Sequence, residues 1–320
     1  MIVLFGSLTD EPLAAVVVAL ADRGADLLLI DPRDEPANTR LAFEPATDPL
    51  TGWLRCGERS IALADVSSVY LRDTGPIREP RSRERHVALS GLLDSWPTLV
   101  VNRPSAMASN SSKPYQAQVI TSCGLAAPRT LVTTNPAYAR AFYDACDGRV
   151  IFKSASHLRS IVQRLETADL DRLDQLQACP TQFQEYVAGI DIRVHVIGER
   201  IFATEIDTTA TDYRYAGRVG AEMRMRDTRL PDEIATACRR LADTLQLALT
   251  GIDLRRTPDG RWYCFEANPS PVFTYYERYS GQPLTDAVCE LLHTAGDRPI
   301  TALQAGSLHG VSTSMRAEPR

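Results

Sequence analysis

Lysine is nearly absent from this 320-residue sequence, and no stretch of it is strongly basic. Lys113 and Lys153 are the only lysines, so the remaining basic side chains are arginine and histidine. The formal net charge is −5, and no Lys/Arg block is long enough to form a duplex-binding face. We therefore expect no nucleic-acid partner.

Paired cysteines and long apolar segments are also lacking. The seven cysteines show no C-x-x-C spacing, and an odd number does not suit a disulfide framework, so they are interpreted as reduced packing residues. The N-terminus has no basic n-region, and its apolar runs are too short to span a bilayer. These absences predict no membrane partner and a cytoplasmic location.

Two common phosphate-binding loops are missing. No G-x-G-x-x-G follows the first predicted strand, residues 2–5, and no G-x-x-x-x-G-K surrounds Lys153. A dinucleotide fold at the N-terminus and a P-loop enzyme are therefore not supported.

The order of the predicted elements indicates an α/β protein of more than one domain. A strand at 2–5, a helix capped by Asp10 and stopped by Gly24, and a strand at 27–30 form a β-α-β start. The Pro-, Asp- and Arg-rich stretch 31–59 is predicted to be an irregular excursion. Further strands are predicted at 149–153, 181–187 and 190–197, and a helix is predicted over 231–249.

The strand-like segment GIDLRRTPDGRWYCFEANPS, residues 251–270, contains three oxygen-bearing side chains of interest: Asp253, Glu266 and Asn268. If Asp259-Gly260 forms a two-residue type I′ turn, Asp253 lies directly opposite Glu266, and Asn268 shares its face. An all-oxygen set of this kind favours Mg²⁺, which usually takes further ligands from substrate phosphates. The alternative is an exposed polar hairpin face, and a three-residue loop would shift the register by one.

The two lysines are candidates for phosphate contacts. Lys153 ends a predicted strand and Lys113 begins a predicted helix, where a compact ammonium can meet an anion. Chance placement in an arginine-rich chain is the competing interpretation.

Several motifs, taken in order, resemble those of the ATP-grasp ligases. They are the strand ending at Lys153, FQEYVAGIDIRVHVIGERIFATEID, the DYR tripeptide and the hairpin segment above. Within that family the chain looks like the RimK-type ligases and, more closely, the maturases of microviridin-type peptides (graspetides). The resemblance implies an α/β (α+β) ATP-grasp fold with an N-terminal pre-ATP-grasp domain at 1–104. It further implies a central subdomain at 105–180, a C-terminal subdomain at 181–300 and a flexible tail at 301–320.

The resemblance also implies roles for individual residues. Asp253, Glu266 and Asn268 would hold magnesium, in agreement with the hairpin geometry. The ATP-binding set implied by the resemblance comprises phosphate contacts, an adenine hinge and a ribose contact: Lys113, Lys153, Glu185, Tyr186, Val187, Asp191 and Arg214. Arg193 and Arg214 would be the catalytic arginines that face the phosphates or the substrate carboxylate. His195, on the strand face of Asp191 and Arg193, is interpreted as a half-buried structural residue.

The implied activity is ADP-forming ligation with ATP and Mg²⁺, with two ions expected and Mn²⁺ as a substitute. Asp or Glu side chains of a precursor peptide, which has a leader and an acidic core, would be activated as acyl phosphates. Ser, Thr or Lys side chains would then displace phosphate to form ester or amide rings, in a homodimeric enzyme. The alternatives are a RimK-like or glutathione-synthetase-like ligase of amino acids and a non-catalytic nucleotide-binding peptide carrier.

Overall fold

The computed structural model describes residues 1–31, 39–46, 50–72, 80–154, 163–208 and 222–294. The strands in these ranges form four sheets, and with the helices they make a mixed α/β architecture. None of the described helices is both long enough and apolar enough to cross a membrane.

The N-terminal part is a parallel sheet with an antiparallel insertion. Its elements are β1 (Ile2–Phe5), α1 (Glu11–Asp22), β2 (Leu27–Ile30), β3 (Thr39–Glu44), β4 (Thr51–Cys56), β5 (Arg59–Ala62), β6 (Ser68–Leu71), α2 (Pro80–Ser95) and β7 (Leu99–Val101). The parallel sheet has the order β2-β1-β6-β7. The β-α-β start is confirmed, and the Asp10 carboxylate caps α1 by accepting from the Leu13 N–H (2.9 Å).

The predicted irregular excursion at 31–59 is wrong, because β3, β4 and β5 form a three-stranded antiparallel sheet. Because this stretch is rich in Pro, Asp and Arg, its short alternation of apolar and polar residues was not recognised as strand. Leu54 and Ile61 are buried and pack into the cluster that includes Val3 and Trp96. Tertiary packing therefore stabilises strands that local composition disfavours.

The central part is a four-stranded antiparallel sheet flanked by helices. Its elements are α3 (Pro104–Met107), α4 (Lys113–Ser122), β8 (Thr130–Thr133), α5 (Pro136–Ala145), β9 (Val150–Ser154), β10 (Gln163–Arg164) and β11 (Thr181–Glu185), in the sheet order β10-β9-β11-β8. Val150, Phe152 and Phe183 pack against α5 and a 3₁₀ segment. Because side chains alternate along a strand, Lys153 lies on the opposite face of this sheet.

The C-terminal part is a five-stranded antiparallel sheet with the order β14-β13-β12-β15-β16. Its elements are β12 (Ile190–Ile197), β13 (Arg200–Thr208), β14 (Met223–Thr228), α6 (Asp232–Thr244), β15 (Leu249–Arg256), β16 (Trp262–Asn268), α7 (Phe273–Ser280) and α8 (Leu284–Thr294). One face, with Val194 and Ile252, forms a core with residues of α4 and α6. Residues at one end of the other face, including Ile197 and Leu249, form a core with α7, α8 and the N-terminal sheet. The domain boundaries given above stay predictions.

Helix α6 ends at Thr244, five residues earlier than predicted. Gln246 adopts a positive φ of 56°, and the Leu247 N–H donates to the Ala242 carbonyl oxygen (2.9 Å), which closes the helix end. Leu249 therefore begins β15 instead of extending the apolar face of the helix.

Candidate active site

The turn between β15 and β16 has three residues, whereas the sequence predicted two. The Thr257 N–H donates to the Arg261 carbonyl oxygen (2.9 Å), so Thr257 and not Pro258 faces Arg261. Gly260 has a φ of 84°, the left-handed conformation that closes a three-residue hairpin loop. The prediction of a type I′ turn is wrong because Pro258 and Gly260 suit a type I turn followed by a left-handed glycine.

A β-bulge at Phe265 restores the predicted pairing of the carboxylates. Next to the turn, Leu254 pairs with Cys264, one position away from the predicted register. Beyond the bulge, Asp253 lies opposite Glu266, as predicted. The two carboxylates therefore face each other because two one-residue shifts cancel.

Asp253, Glu266 and Asn268 form an all-oxygen donor set at the edge of the sheet. Asn268 pairs with Gly251, so it lies on the same face as the two carboxylates. Directly opposed residues have Cβ atoms about 4.5–5.5 Å apart, which allows one cation to bridge them. Among the described residues, no group of three or more His, Cys, Asp or Glu side chains could hold a metal. The hairpin set, with two carboxylates and an amide, fits the ligand preference of Mg²⁺.

Each carboxylate has a basic partner. The Arg193 Nη1 atom lies 2.6 Å from Asp253 Oδ1, and the Arg193 side chain is only 5% exposed. The Lys113 Nζ atom lies 3.5 Å from Glu266 Oε2, in a more open position. The structure thus brings together Lys113, Arg193 and two of the predicted metal ligands.

Helix α4 positions Lys113 by docking against the edge strand β16. One turn after Lys113, the buried Gln116 side chain donates to the Ala267 carbonyl oxygen (2.8 Å) and accepts from the Ala267 N–H (3.2 Å). Ala267 lies between Glu266 and Asn268, so this contact fixes the strand between two predicted ligands. Gln116 was not predicted from the sequence, although its spacing of three from Lys113 places both on one helix face.

Two residues of the N-terminal part hold the chain on either side of the ligand strands. The Asn102 amide donates to the carbonyl oxygens of Leu249 and Pro269 (2.7 Å each) and accepts from the Leu249 N–H (3.1 Å). The buried Arg72 guanidinium donates to the Pro271 carbonyl oxygen (3.0 Å). The sequence offered no signal for these contacts, because each joins residues more than 140 positions apart.

The predicted adenine hinge begins at Glu185, the last residue of β11. The N–H groups of Glu185 and Tyr186 donate to backbone carbonyls of the central part (2.9 and 2.8 Å), so both donors are already engaged. The Arg164 guanidinium lies 4.1 Å from the centroid of the Tyr186 ring. The Val187 carbonyl oxygen accepts from Arg255 Nη1 (2.8 Å). Among contacts between described residues, the Val187 N–H makes no hydrogen bond. Of the three N–H groups of residues 185–187, it is therefore the one best suited to donate to adenine.

Arg255 connects the hinge to the sheet and was missed by the sequence analysis. Its Nε donates to Asp191 Oδ1 (2.7 Å), while Nη1 holds the Val187 carbonyl. Asp191, predicted to contact the ribose, therefore lies in an ion pair beside the hinge. The ribose contact stays a prediction, as do the adenine contacts of Glu185, Tyr186 and Val187.

Lys153 pairs in register with Gln182, on the face of the central sheet opposite to α5. Its predicted phosphate contact stays a prediction. Arg214 lies outside the described residues, so the structure gives no position for this predicted catalytic and ATP-binding arginine.

Two buried titratable groups near the carboxylates are held uncharged. Burial, assisted by the charge of Arg193, holds the pKa of His195 well below its usual range. His195 is fully buried and not half-buried as predicted, and its burial as a neutral group agrees with the predicted structural role. On the other face, burial raises the pKa of the Cys264 thiol well above its usual range, so Cys264 is not an activated nucleophile.

Comparisons with known proteins place this geometry in a family. The model of the RimK-like ATP-grasp domain matches residues 112–292, which include every described residue predicted to bind ATP or metal. No curated protein matches the sequence.

Solved structures match nearly the whole chain. The ATP-grasp ligase PsnB, complexed with a phosphomimetic variant of minimal precursor, Mg and ADP, is 28% identical with a TM-score of 0.78, covering 92% of this chain and 98% of that chain. The macrocyclase MdnC of Microcystis aeruginosa, bound with precursor peptide MdnA, is 24% identical (TM-score 0.75; 91% and 99% covered). The VanG D-Ala:D-Ser ligase of Enterococcus faecalis is 14% identical (TM-score 0.58; 92% and 98% covered). The last two likenesses show the fold alone.

Proposed function

This chain belongs to the RimK-like ATP-grasp family, and from that premise we propose that it is an ATP-dependent ligase that crosslinks side chains of a ribosomal precursor peptide. Asp or Glu side chains of the peptide are activated as acyl phosphates, and Ser, Thr or Lys side chains attack them to close ester or amide rings. The family membership and the ATP-grasp fold agree with the resemblance read from the sequence.

The whole-chain likeness to PsnB carries this proposal. It spans 92% of this chain and therefore includes the N-terminal sheet as well as the nucleotide-binding part. The VanG ligase also covers 92% of this chain, so coverage alone does not separate the candidates; the 28% identity and TM-score of 0.78 for PsnB, against 14% and 0.58 for VanG, favour the peptide as substrate. The alternative is a RimK-like or glutathione-synthetase-like ligase of amino acids, which would use the same nucleotide-binding residues. Only the identity of the substrate therefore distinguishes the two functions.

The atoms of the reaction balance without an enzyme nucleophile. A peptide carboxylate oxygen attacks the γ-phosphorus of ATP and releases ADP, and the hydroxyl or amine then attacks the acyl carbon and releases phosphate. A proton leaves the attacking group as the ester or amide forms. Catalysis rests on positioning and on charge neutralisation, which suits a site whose nearby thiol, Cys264, is held protonated.

The chain's own residues have the following tasks. Lys113 and Arg193 supply positive charge beside the transferred phosphoryl group, and Lys153 and Arg214 contact the phosphates. The segment 185–187 holds adenine through its backbone, and Asp191 serves the ribose side of the nucleotide. Asp253, Glu266 and Asn268 would hold Mg²⁺, which when bound neutralises phosphate charge.

Finer details belong to the same proposal. They are a second Mg²⁺ ion, replacement by Mn²⁺, an acidic peptide core following a leader, a homodimer and a cytoplasmic location. Activity assays with Mn²⁺ and light scattering of the purified protein test two of these directly.

The experiment is intact-mass measurement of a candidate precursor peptide with a leader and an acidic core, after incubation with the protein, ATP and Mg²⁺. We expect the loss of one water per linkage, dependent on ATP and abolished by Glu266→Gln. Gly91→Ala is the control, because a Cβ added at this helical glycine meets no atom within 4 Å beyond its chain neighbours and the backbone of its own helix. It should retain full activity.

Three other outcomes would contradict the proposal, each for a different reason. Mass gain when free amino acids are added favours the amino-acid ligase. An unchanged peptide mass despite ATP hydrolysis contradicts the peptide as acceptor, and the absence of ATP hydrolysis contradicts the ligase assignment itself.

A further inference from the structure

A glycine lies where the guanidinium of Arg193 needs room. Gly251 on β15 is the cross-strand partner of His195, two residues from Asp253. A Cβ built on Gly251 would lie 1.9 Å from Arg193 Nη2 and 2.4 Å from its Cζ. Gly251 does not adopt a left-handed φ, so its backbone conformation is open to any residue. A side chain at position 251 therefore requires the Arg193 guanidinium to move.

An aromatic ring contacts the same guanidinium. The Cζ atom of Arg193 lies 5.2 Å from the centroid of the Tyr276 ring, which is buried on α7. This distance is within the range of a cation–π contact, whose strength grows when the pair is shielded from water. The His195 ring meets Tyr276 edge-on at 5.0 Å, and its neutral state adds no second positive charge beside Arg193.

These contacts fix the direction in which Arg193 points. Its Nη1 donates to Asp253 Oδ1, its Nη2 lies against Gly251, and its Cζ lies over the Tyr276 ring. An arginine side chain has several rotatable bonds, and each of these contacts removes part of that freedom. The guanidinium is thereby held at the predicted metal ligand before any nucleotide binds.

We propose that Gly251 and Tyr276 are positioning residues that hold the Arg193 guanidinium on Asp253 for phosphoryl transfer. This inference rests on the proposed function, because it assigns Arg193 to the reacting phosphate. A methyl group at position 251 forces the guanidinium to move by about 1 Å, since Cβ contacts shorter than 3.0 Å essentially never occur. A displacement of that size at a catalytic group lowers turnover by about 10²-fold.

The first test compares Gly251→Ala with Gly91→Ala, the alanine that meets open space. For Gly251→Ala we expect kcat for ADP formation with precursor peptide to fall about 10²-fold, while KM for ATP changes less than about threefold. Gly91→Ala should match the wild type in both constants. An unchanged kcat for Gly251→Ala overturns the proposal.

A stability cycle tests the contact independently of the reaction. Gly251→Ala is made in the wild type and in Arg193→Ala, and urea midpoints are measured without nucleotide. The alanine should lower the midpoint in the wild type but leave it unchanged when the guanidinium is gone. Equal lowering in both backgrounds overturns the contact. This cycle remains readable if no peptide is processed, so failure of the proposed function is recognised separately.

The ring is tested with Tyr276→Phe and Tyr276→Leu. Phenylalanine keeps a ring beside the guanidinium and should retain kcat within about threefold, whereas leucine should lose about tenfold. Equal loss in both variants would assign the effect to the hydroxyl group and overturn the role of the ring.

Discussion

Replacing Asp253 by Asn should destabilise the protein without nucleotide or metal, whereas replacing Glu266 by Gln should leave its stability nearly unchanged. Both carboxylates are predicted to hold the same Mg²⁺, so a metal role alone gives no reason for a difference. Their basic partners differ, because Arg193 is 5% exposed and Lys113 is 23% exposed.

The expected magnitudes follow from that difference in burial. Removing one partner of a buried ion pair costs about 3–5 kcal/mol, because the other charge stays buried after losing that partner. Asp253 is 23% exposed, which places its loss at the lower end, about 3 kcal/mol. The Lys113–Glu266 pair is longer, at 3.5 Å, and both members are partly exposed, so its loss costs about 0–1 kcal/mol.

Urea unfolding followed by circular dichroism, with EDTA and without ATP, measures the difference. We expect Asp253→Asn to lower the midpoint by about 1 M and Glu266→Gln by less than about 0.3 M. Midpoints are compared because a chain with several sheets need not unfold in one step. The reasoning is refuted if the two variants shift the midpoint equally, since the burial of Arg193 would then have no energetic consequence.

Three further predictions concern residues around the same site. Stability should fall as the pH drops below about 6.5, because the unfolded chain takes up a proton that buried His195 does not. His195→Leu should remove this part of the slope, at most about 1.4 kcal/mol per pH unit in urea titrations, and an unchanged slope would count against it. Arg255→Lys should raise KM for ATP several-fold with little change in kcat, because lysine cannot hold both Asp191 and the hinge carbonyl; an unchanged KM would exclude a hinge role. Gln116→Leu should lower stability by about 2–4 kcal/mol, because both backbone groups of Ala267 lose their buried partner, and a neutral effect in urea unfolding would contradict this.

Local pattern was enough for most elements near the site. The alternation in residues 190–197 predicted strand β12 with its bounds unchanged, and Asn135 and Pro136 predicted the start of α5. The end of α6 was predicted five residues too late, because leucines continue the apolar pattern into β15 and no glycine or proline marks the stop. Instead, the helix is ended by Gln246, which adopts a left-handed conformation. This conformation is uncommon for glutamine, so the residue type does not predict it.

The hairpin shows how a correct pairing can follow from an incomplete argument. The sequence predicted Asp253 opposite Glu266 from a two-residue turn, whereas the protein uses a three-residue turn and a bulge at Phe265. Turns can be predicted from their local residue preferences. The bulge depends on how the strand packs, so the residues of this segment do not predict it.

The sequence by itself determined the chemistry that is available: two lysines, an Asp-Glu-Asn hairpin, a strand that places Asp191, Arg193 and His195 on one face, and motifs that identify the family. Only the tertiary structure decided which of these groups meet. Arg193 reaches Asp253 because β12 lies beside β15 in the sheet, and it fits there because Gly251 has no side chain. Lys113 reaches Glu266 because α4 docks on β16 through Gln116. Such contacts join residues about 60 to 150 positions apart, and they depend on strand order and packing, which no local sequence pattern encodes.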